Sequence, residues 1–147
     1  MNGAVAGTGE PDSRGRRVSG QSARQHAPQT ESLFDAAHLA SREIRLRAQL
    51  APQLDEARWM ILLDIYLAMA DGRETPFMSA AHASSVAVST AQRYIHEMIA
   101  DGLIAQHKSG TDQRVSHLIL TSEGQAVMTR ILEATTALRA RLGPGGR

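Results

Sequence analysis

The segment from Ala100 to Gly124, ADGLIAQHKSGTDQRVSHLILTSEG, leaves the backbone few options. Asp101-Gly102 is a helix terminator, because glycine enters the left-handed conformation that closes a helix without steric penalty. The apolar pair Leu103-Ile104 follows, then a polar run containing Gly110, then alternating residues up to Leu120. This pattern predicts two antiparallel strands, Leu103–Ser109 and Gln113–Leu120, turning about Gly110. Leu118 and Leu120 share one face, which must look inward; Arg114 and Ser116 have the same parity nearer the tip. Thr121 then caps another helix, with Glu123 near its positive end. So thin a hairpin has no core of its own and must lean on helices.

The rest of the chain supplies them. Of the 147 residues 42% are hydrophobic but only 3% aromatic, a core of aliphatic side chains that suits helices better than a sheet sandwich. Residues 1–30, rich in Gly, Ser, Arg and Gln without apolar periodicity, are expected to be a disordered basic tail, in which Arg14-Gly15-Arg16-Arg17 could touch phosphates. Ser32 can cap a helix from Leu33 to about Leu50, with Leu33, Ala37, Ala40 and Ile44 on one stripe. Pro52 ends it and opens a second helix, with Asp55 and Glu56 near its positive end. Trp59, Leu62, Leu63, Tyr66, Leu67 and Ala70 step along that helix as its predicted core stripe, and Asp71-Gly72 closes it.

After Pro76, a short helix over Met78–Ser84, a turn over Ser84-Ser85-Val86-Ala87 and a helix over Val88–Asp101 form a helix-turn-helix, with Val86 plugging the gap. Beyond Thr121, Val127, Ile131, Ala134, Leu138 and Leu142 recur at helical spacing, and residues 143–147 read as a flexible end. The predicted architecture is mainly α with a small β-hairpin: a winged helix-turn-helix over residues 31–142, flanked by N- and C-terminal helices. The apolar strips on those two helices, notably Leu33, Ala37, Ile44, Ile131, Leu138 and Leu142, exceed what so small a domain can cover. A second copy of the chain is the expected partner.

The helix over Val88–Asp101 separates its faces cleanly. Ala91, Ile95, Met98 and Ile99 form the apolar side; Ser89, Thr90, Gln92, Arg93 and His96 form the other, concentrated in the first two turns. Short polar side chains at that end of a helix suit the edges of bases in a DNA major groove. Arg114 on the hairpin is suited to a minor groove, where A·T tracts concentrate negative potential. Asp112 is expected to hold its guanidinium in a bidentate pair, and Lys108 to reach phosphate. Charge weighs on the other side: residues 72–124 carry four basic groups against five acids, and the whole chain is formally +1. A module for protein contacts without specific DNA binding is the alternative, and salt-dependent duplex binding separates the two.

Other chemistries find little support. No cysteine is present, which removes disulfides, thiolate catalysis and Cys-ligated zinc. The six histidines, His26, His38, His82, His96, His107 and His117, include no helical ligand pair, and only His107 and His117 could face each other, across the hairpin. No phosphate-binding glycine loop, nucleophile elbow or carboxylate pair appears, so no catalytic residue, metal or cofactor is assigned. The longest apolar run, about Met60 to Ala70, is too short to span a bilayer, and the N-terminus lacks a signal-peptide core. A soluble cytoplasmic protein is expected.

From Asp101 to Gly124 the chain resembles the wing of the MarR family of transcription regulators. The family pattern appears as Gly102-Leu103-Ile104, then Asp112-Gln113-Arg114, then Leu120-Thr121 and Gly124, at matching spacing. Val86 to Arg93 resembles that family's turn and recognition-helix start, and the similarity covers roughly Leu62 to Leu132. The resemblance implies a winged-helix homodimer joined through terminal helices and bound to pseudo-palindromic double-stranded DNA. It implies that Arg114 enters the minor groove while Ser89, Thr90, Gln92 and Arg93 face the major groove. Ala87 and Val88 depart from it, standing where a capping Ser or Thr followed by Pro is usual. One C-terminal helix is predicted where two are typical, and nothing in the sequence identifies a small-molecule effector.

Overall fold

A computed structural model describes residues 28–108 and 112–142, with Gly7 ahead of them. The predicted tail up to residue 27, including the Arg14–Arg17 cluster and His26, lies outside the described residues. So do Gly110 at the hairpin tip and the C-terminal residues 143–147.

Helix α1 spans Pro28–Leu50, starting before the predicted Leu33 and running past the Ser32 cap. Pro28 suits a first helical position, where its fixed φ is preorganised and its missing N–H is no loss. Helix α2 spans Glu56–Ala70, starting later than Pro52 suggested. Pro52 lies in a turn that the Leu54 N–H closes by donating to Ala51 O at 3.0 Å. Asp55 is the true cap, its side chain accepting the Arg58 N–H at 2.8 Å. The turn sinks Ala51 and Leu54 into the core.

The predicted stripe on α2 was partly misplaced. Trp59 and Leu62 are buried, but Ile61, Ile65 and Ala68 join them, while Leu67 is 53% exposed and Ala70 faces solvent. This helix is apolar nearly all round, so spacing alone cannot select which side packs inward. Its end is as expected. Asp71 and Gly72, at φ 69°, close it with Arg73 N donating to Ala68 O and Gly72 N to Met69 O, the paired bonds of a Schellman cap.

Strand β1 is only Thr75–Pro76. It leads into α3 (Phe77–Ala83), α4 (Val88–Ala100), strands β2 (Ile104–Lys108) and β3 (Ser116–Leu120), and α5 (Ser122–Leu142). The sheet order is β1-β3-β2, antiparallel throughout, with Thr75 opposite Leu118 and His107 opposite His117. A strand of two residues shows no alternation, which is why β1 escaped the sequence reading. Its proline is tolerated because β1 is an edge strand.

The core gathers around α2, with Ile65, Ala80, Ala81, Ala91, Ile95, Met98, Leu118, Leu120 and Met128 all within 2% of full burial. Ala80, Ala81 and Ala91 add little bulk where α2, α3 and α4 meet.

The terminal helices pack on each other within one chain. Arg139 on α5 pairs with Glu43 on α1, and Arg130 Nη2 donates to Leu50 O at 3.0 Å. The Arg139 hydrogen bond holds the Glu43 carboxyl below its ordinary pKa. Ile131 is buried in this same core at 1% exposure, so its place in the predicted dimer strip is corrected: packing inside the chain already consumes it. Leu138 is half-buried. Ala37 is exposed, as are Leu33 at 71%, Ile44 at 59% and Leu142 at 38%, joined by Phe34 at 66%. None of the described helices is long and apolar enough to cross a membrane.

Candidate nucleic-acid interface

The wing, β2 with β3, is anchored at its foot by a dense backbone lock. Helix α4 ends in a second Schellman cap: Gly102 at φ 77°, Leu103 N donating to Met98 O and Gly102 N to Ile99 O, both at 3.0 Å. The Thr121 hydroxyl donates to Gly102 O and accepts the Gly124 N–H, while Thr121 N donates to Leu103 O at 3.1 Å. One threonine thus ties the end of α4 to the start of α5. A Cβ on Gly124 would sit 2.1 Å from Leu103 O, so only glycine permits this approach. The spacing of Gly102, Leu103, Leu120, Thr121 and Gly124 is the imprint of that lock.

Helix α4 leaves this anchor with its predicted faces in place. Ala91, Ile95 and Met98 are buried and Ile99 partly so. Ser89, Arg93 and His96 are exposed; Thr90 and Gln92 are half-buried. Gln92 Nε2 lies 3.3 Å from Met78 Sδ, and the His96 ring tilts against Phe77 with centroids 5.3 Å apart. Ala87 caps the helix without a side-chain hydrogen bond, so its first N–H groups are left for other acceptors.

At the outer end of the wing the structure corrects one detail. Asp112 does not grip the Arg114 guanidinium. Its Oδ1 accepts the backbone N–H of Arg114 at 3.0 Å, and its carbonyl accepts from Val115 N at 3.3 Å. A carboxylate two residues before an N–H closes an Asx turn, and that local geometry wins over the longer reach of an exposed ion pair. Among the described residues, neither Lys108 nor the Arg114 guanidinium meets a carboxylate. Arg73 and Arg93 do: Arg73 pairs with Asp71 at 2.8 Å, and Arg93 Nε lies 3.9 Å from Glu97 Oε1.

The two candidate reading elements face one space. A groove of about 510 Å³ is lined by Phe77 and Met78 of α3, His96 of α4, and Arg114, Val115 and Ser116 on the wing. The sequence reading missed Phe77 and Met78, whose apolar character marks them as core; Met78 is in fact 45% exposed.

It also missed the support beneath α4. Arg58 on α2 donates to Asp55 Oδ2 at 2.6 Å and to Glu97 Oε2, and its guanidinium lies 3.7 Å from the centre of the Tyr94 ring. Partial burial works against its charge, but the Glu97 hydrogen bond and the Asp55 and Glu97 carboxylates outweigh it and raise its pKa. No local signal ties Arg58 to residues so distant in sequence.

His107 and His117 do face each other, ring centroids 6.1 Å apart, with Glu74 Oε1 2.9 Å from His107 Nε2. Among the described residues no group of three or more potential ligands is arranged to hold a metal ion.

The fold recurs in solved structures. A MepR variant from S. aureus, bound to an oligodeoxyribonucleotide, is similar at TM-score 0.62 and 16% identity, over 77% of this chain and 80% of that one. A MarR family transcriptional regulator from Silicibacter pomeroyi is similar at TM-score 0.54 and 23% identity, over 80% and 76%. The chain has the MarR-type fold. NadR, solved with 4-hydroxyphenylacetate, shares it at TM-score 0.56 and 19% identity, over 82% and 84%. No family model matches the sequence, and no curated protein is similar enough to count as a relative. The MarR-type likeness therefore lies in backbone geometry.

Proposed function

We propose that this chain is a sequence-specific regulator of transcription that binds double-stranded DNA as a homodimer. In this reading α4 enters the major groove, presenting Ser89, Thr90, Gln92, Arg93 and His96 to base edges. The wing follows the adjacent minor groove with Arg114, and Lys108 neutralises phosphate. The observation that carries the reading is that His96 of α4 and Arg114 of the wing line one groove, so a single duplex can meet both. The oligonucleotide bound to the MepR variant supports the same use of this fold.

Exposed Leu33, Phe34, Ile44 and Leu142 support association through the terminal helices, because four large apolar side chains on these two helices are left uncovered by the chain itself. Two copies related by a two-fold axis would meet half-sites about one helical turn apart.

The test is selection of the tightest fragment from a random-sequence duplex library, then titration by fluorescence anisotropy at several salt concentrations. The expected result is two chains per duplex and an affinity that falls steeply as salt rises. Binding that ignores ionic strength, or none at all, would leave protein contacts as the use of this surface. The pairing of Arg73 and Arg93 with carboxylates is the observation that favours that second reading.

A further inference from the structure

Glu97 sits between two arginines with different tasks. Its Oε2 accepts from Arg58 on α2, and its Oε1 lies 3.9 Å from Nε of Arg93, one turn earlier on the same helix. Tyr94 is shared in the same way, its ring centre 3.7 Å from the Arg58 guanidinium carbon and 5.4 Å from that of Arg93. The two contacts are unequal. Arg58 is tied into the α2 cap through Asp55, with a side chain only 20% exposed, whereas that of Arg93 is 66% exposed.

We infer that Arg58 is a positioning residue that draws the Glu97 carboxylate to itself, leaving Arg93 only the longer 3.9 Å contact, and so keeps Arg93 available to DNA. Glutamate and arginine four residues apart on a helix are natural partners. With Arg58 removed, Glu97 would have Arg93 as its nearest cation and would carry an unneutralised charge beside the reading face. Arg93 would then reach a phosphate or a base only by breaking a charge-assisted hydrogen bond. Arg58 touches no DNA in this scheme. It acts by occupying a competitor, and its anchorage by Asp55 is what lets it win. The inference rests on the DNA-binding reading above.

The experiment is a double-mutant cycle on the intact chain, titrated with the selected duplex. Arg58→Met is expected to weaken binding about 10-fold and to flatten the log–log salt slope by about 1, the signature of one lost phosphate contact. Glu97→Gln added to Arg58→Met should restore both quantities, and Glu97→Gln alone should bind as tightly as the unaltered chain or tighter. In an Arg93→Ala background, Arg58→Met should cost nothing more. A general charge effect would persist in that background, and a packing defect around Tyr94 would not be rescued by Glu97→Gln; either result overturns the inference. If Arg58→Met does not fold, Glu97→Gln alone decides, and weaker binding by it overturns the inference. Salt-dependent binding by the unaltered chain with no change on Arg58→Met sinks this inference alone. Failure of the unaltered chain to bind duplex sinks the DNA-binding reading with it.

Discussion

The foot and the outer end of the wing lie at opposite ends of the same two strands and obey different rules. At the foot, Gly102, Leu103, Thr121 and Gly124 meet backbone to backbone, every polar group has a partner, and Gly124 has no room for a methyl group. Toward the tip, Lys108, Asp112 and Arg114 are exposed, and one Asx turn is their main local order. Close packing resists any change of volume, while an exposed cation costs the fold little to keep or lose. Substitutions at the foot should therefore read out as stability, and substitutions toward the tip as binding.

Gly124→Ala is the strongest way to break that contrast. Within a helix alanine is worth about 1 kcal/mol more than glycine. Here the added carbon would land 2.1 Å from Leu103 O, so either that carbonyl or the first turn of α5 must move, straining the Thr121–Leu103 bond. Overpacking of this kind costs about 3 kcal/mol and outweighs the propensity gain, for a net loss of about 2 kcal/mol. Urea unfolding followed by circular dichroism measures it. A midpoint equal to or above that of the unaltered chain would show that the foot is looser than its geometry implies.

Arg114→Ala tests the other end. It should weaken binding of the selected duplex by about 1–3 kcal/mol, most strongly where the flanking minor groove is A·T-rich. The unfolding midpoint should stay where it was, because the described guanidinium has no carboxylate partner to lose. Unchanged affinity in a gel-shift titration removes Arg114 from the interface; a large fall in stability instead would erase the distinction between foot and tip.

What could be read from the sequence follows the same division. The foot was legible in part, because some of its rules act over neighbouring residues: Asp101-Gly102 closes one helix and Thr121 caps the next within a few positions, whereas the demand for glycine at 124 comes from Leu103 on the other side of the hairpin. Helix α4 was legible because its polar and apolar residues fall on opposite sides. Helix α2 was only partly so, since Ile61, Ile65 and Leu67 are equally apolar and only tertiary packing decides which of them are buried. Ile131 looked available to a partner for a related reason, because an apolar strip does not reveal whether its own chain covers it. The Arg58–Glu97 pair spans 39 positions and left no trace in any local pattern. Asp112 was assigned the right neighbour and the wrong atoms, as its carboxylate found the N–H of Arg114 closer than the guanidinium.

The Asx turn at Asp112 offers the mildest and sharpest of the tests. If Asp112 acts through the turn, Asp112→Asn keeps an acceptor for the Arg114 N–H while removing a negative charge beside incoming phosphate. Duplex binding should then tighten several-fold, the ordinary effect of deleting a like charge at an interface rim. Asp112→Ala removes the same charge but also the turn, so part of that gain should be lost to a less ordered arginine, and stability should fall by no more than about 1 kcal/mol. Anisotropy titrations of the two variants side by side separate charge from geometry. Equal affinities for Asn and Ala would mean that the turn contributes nothing to binding.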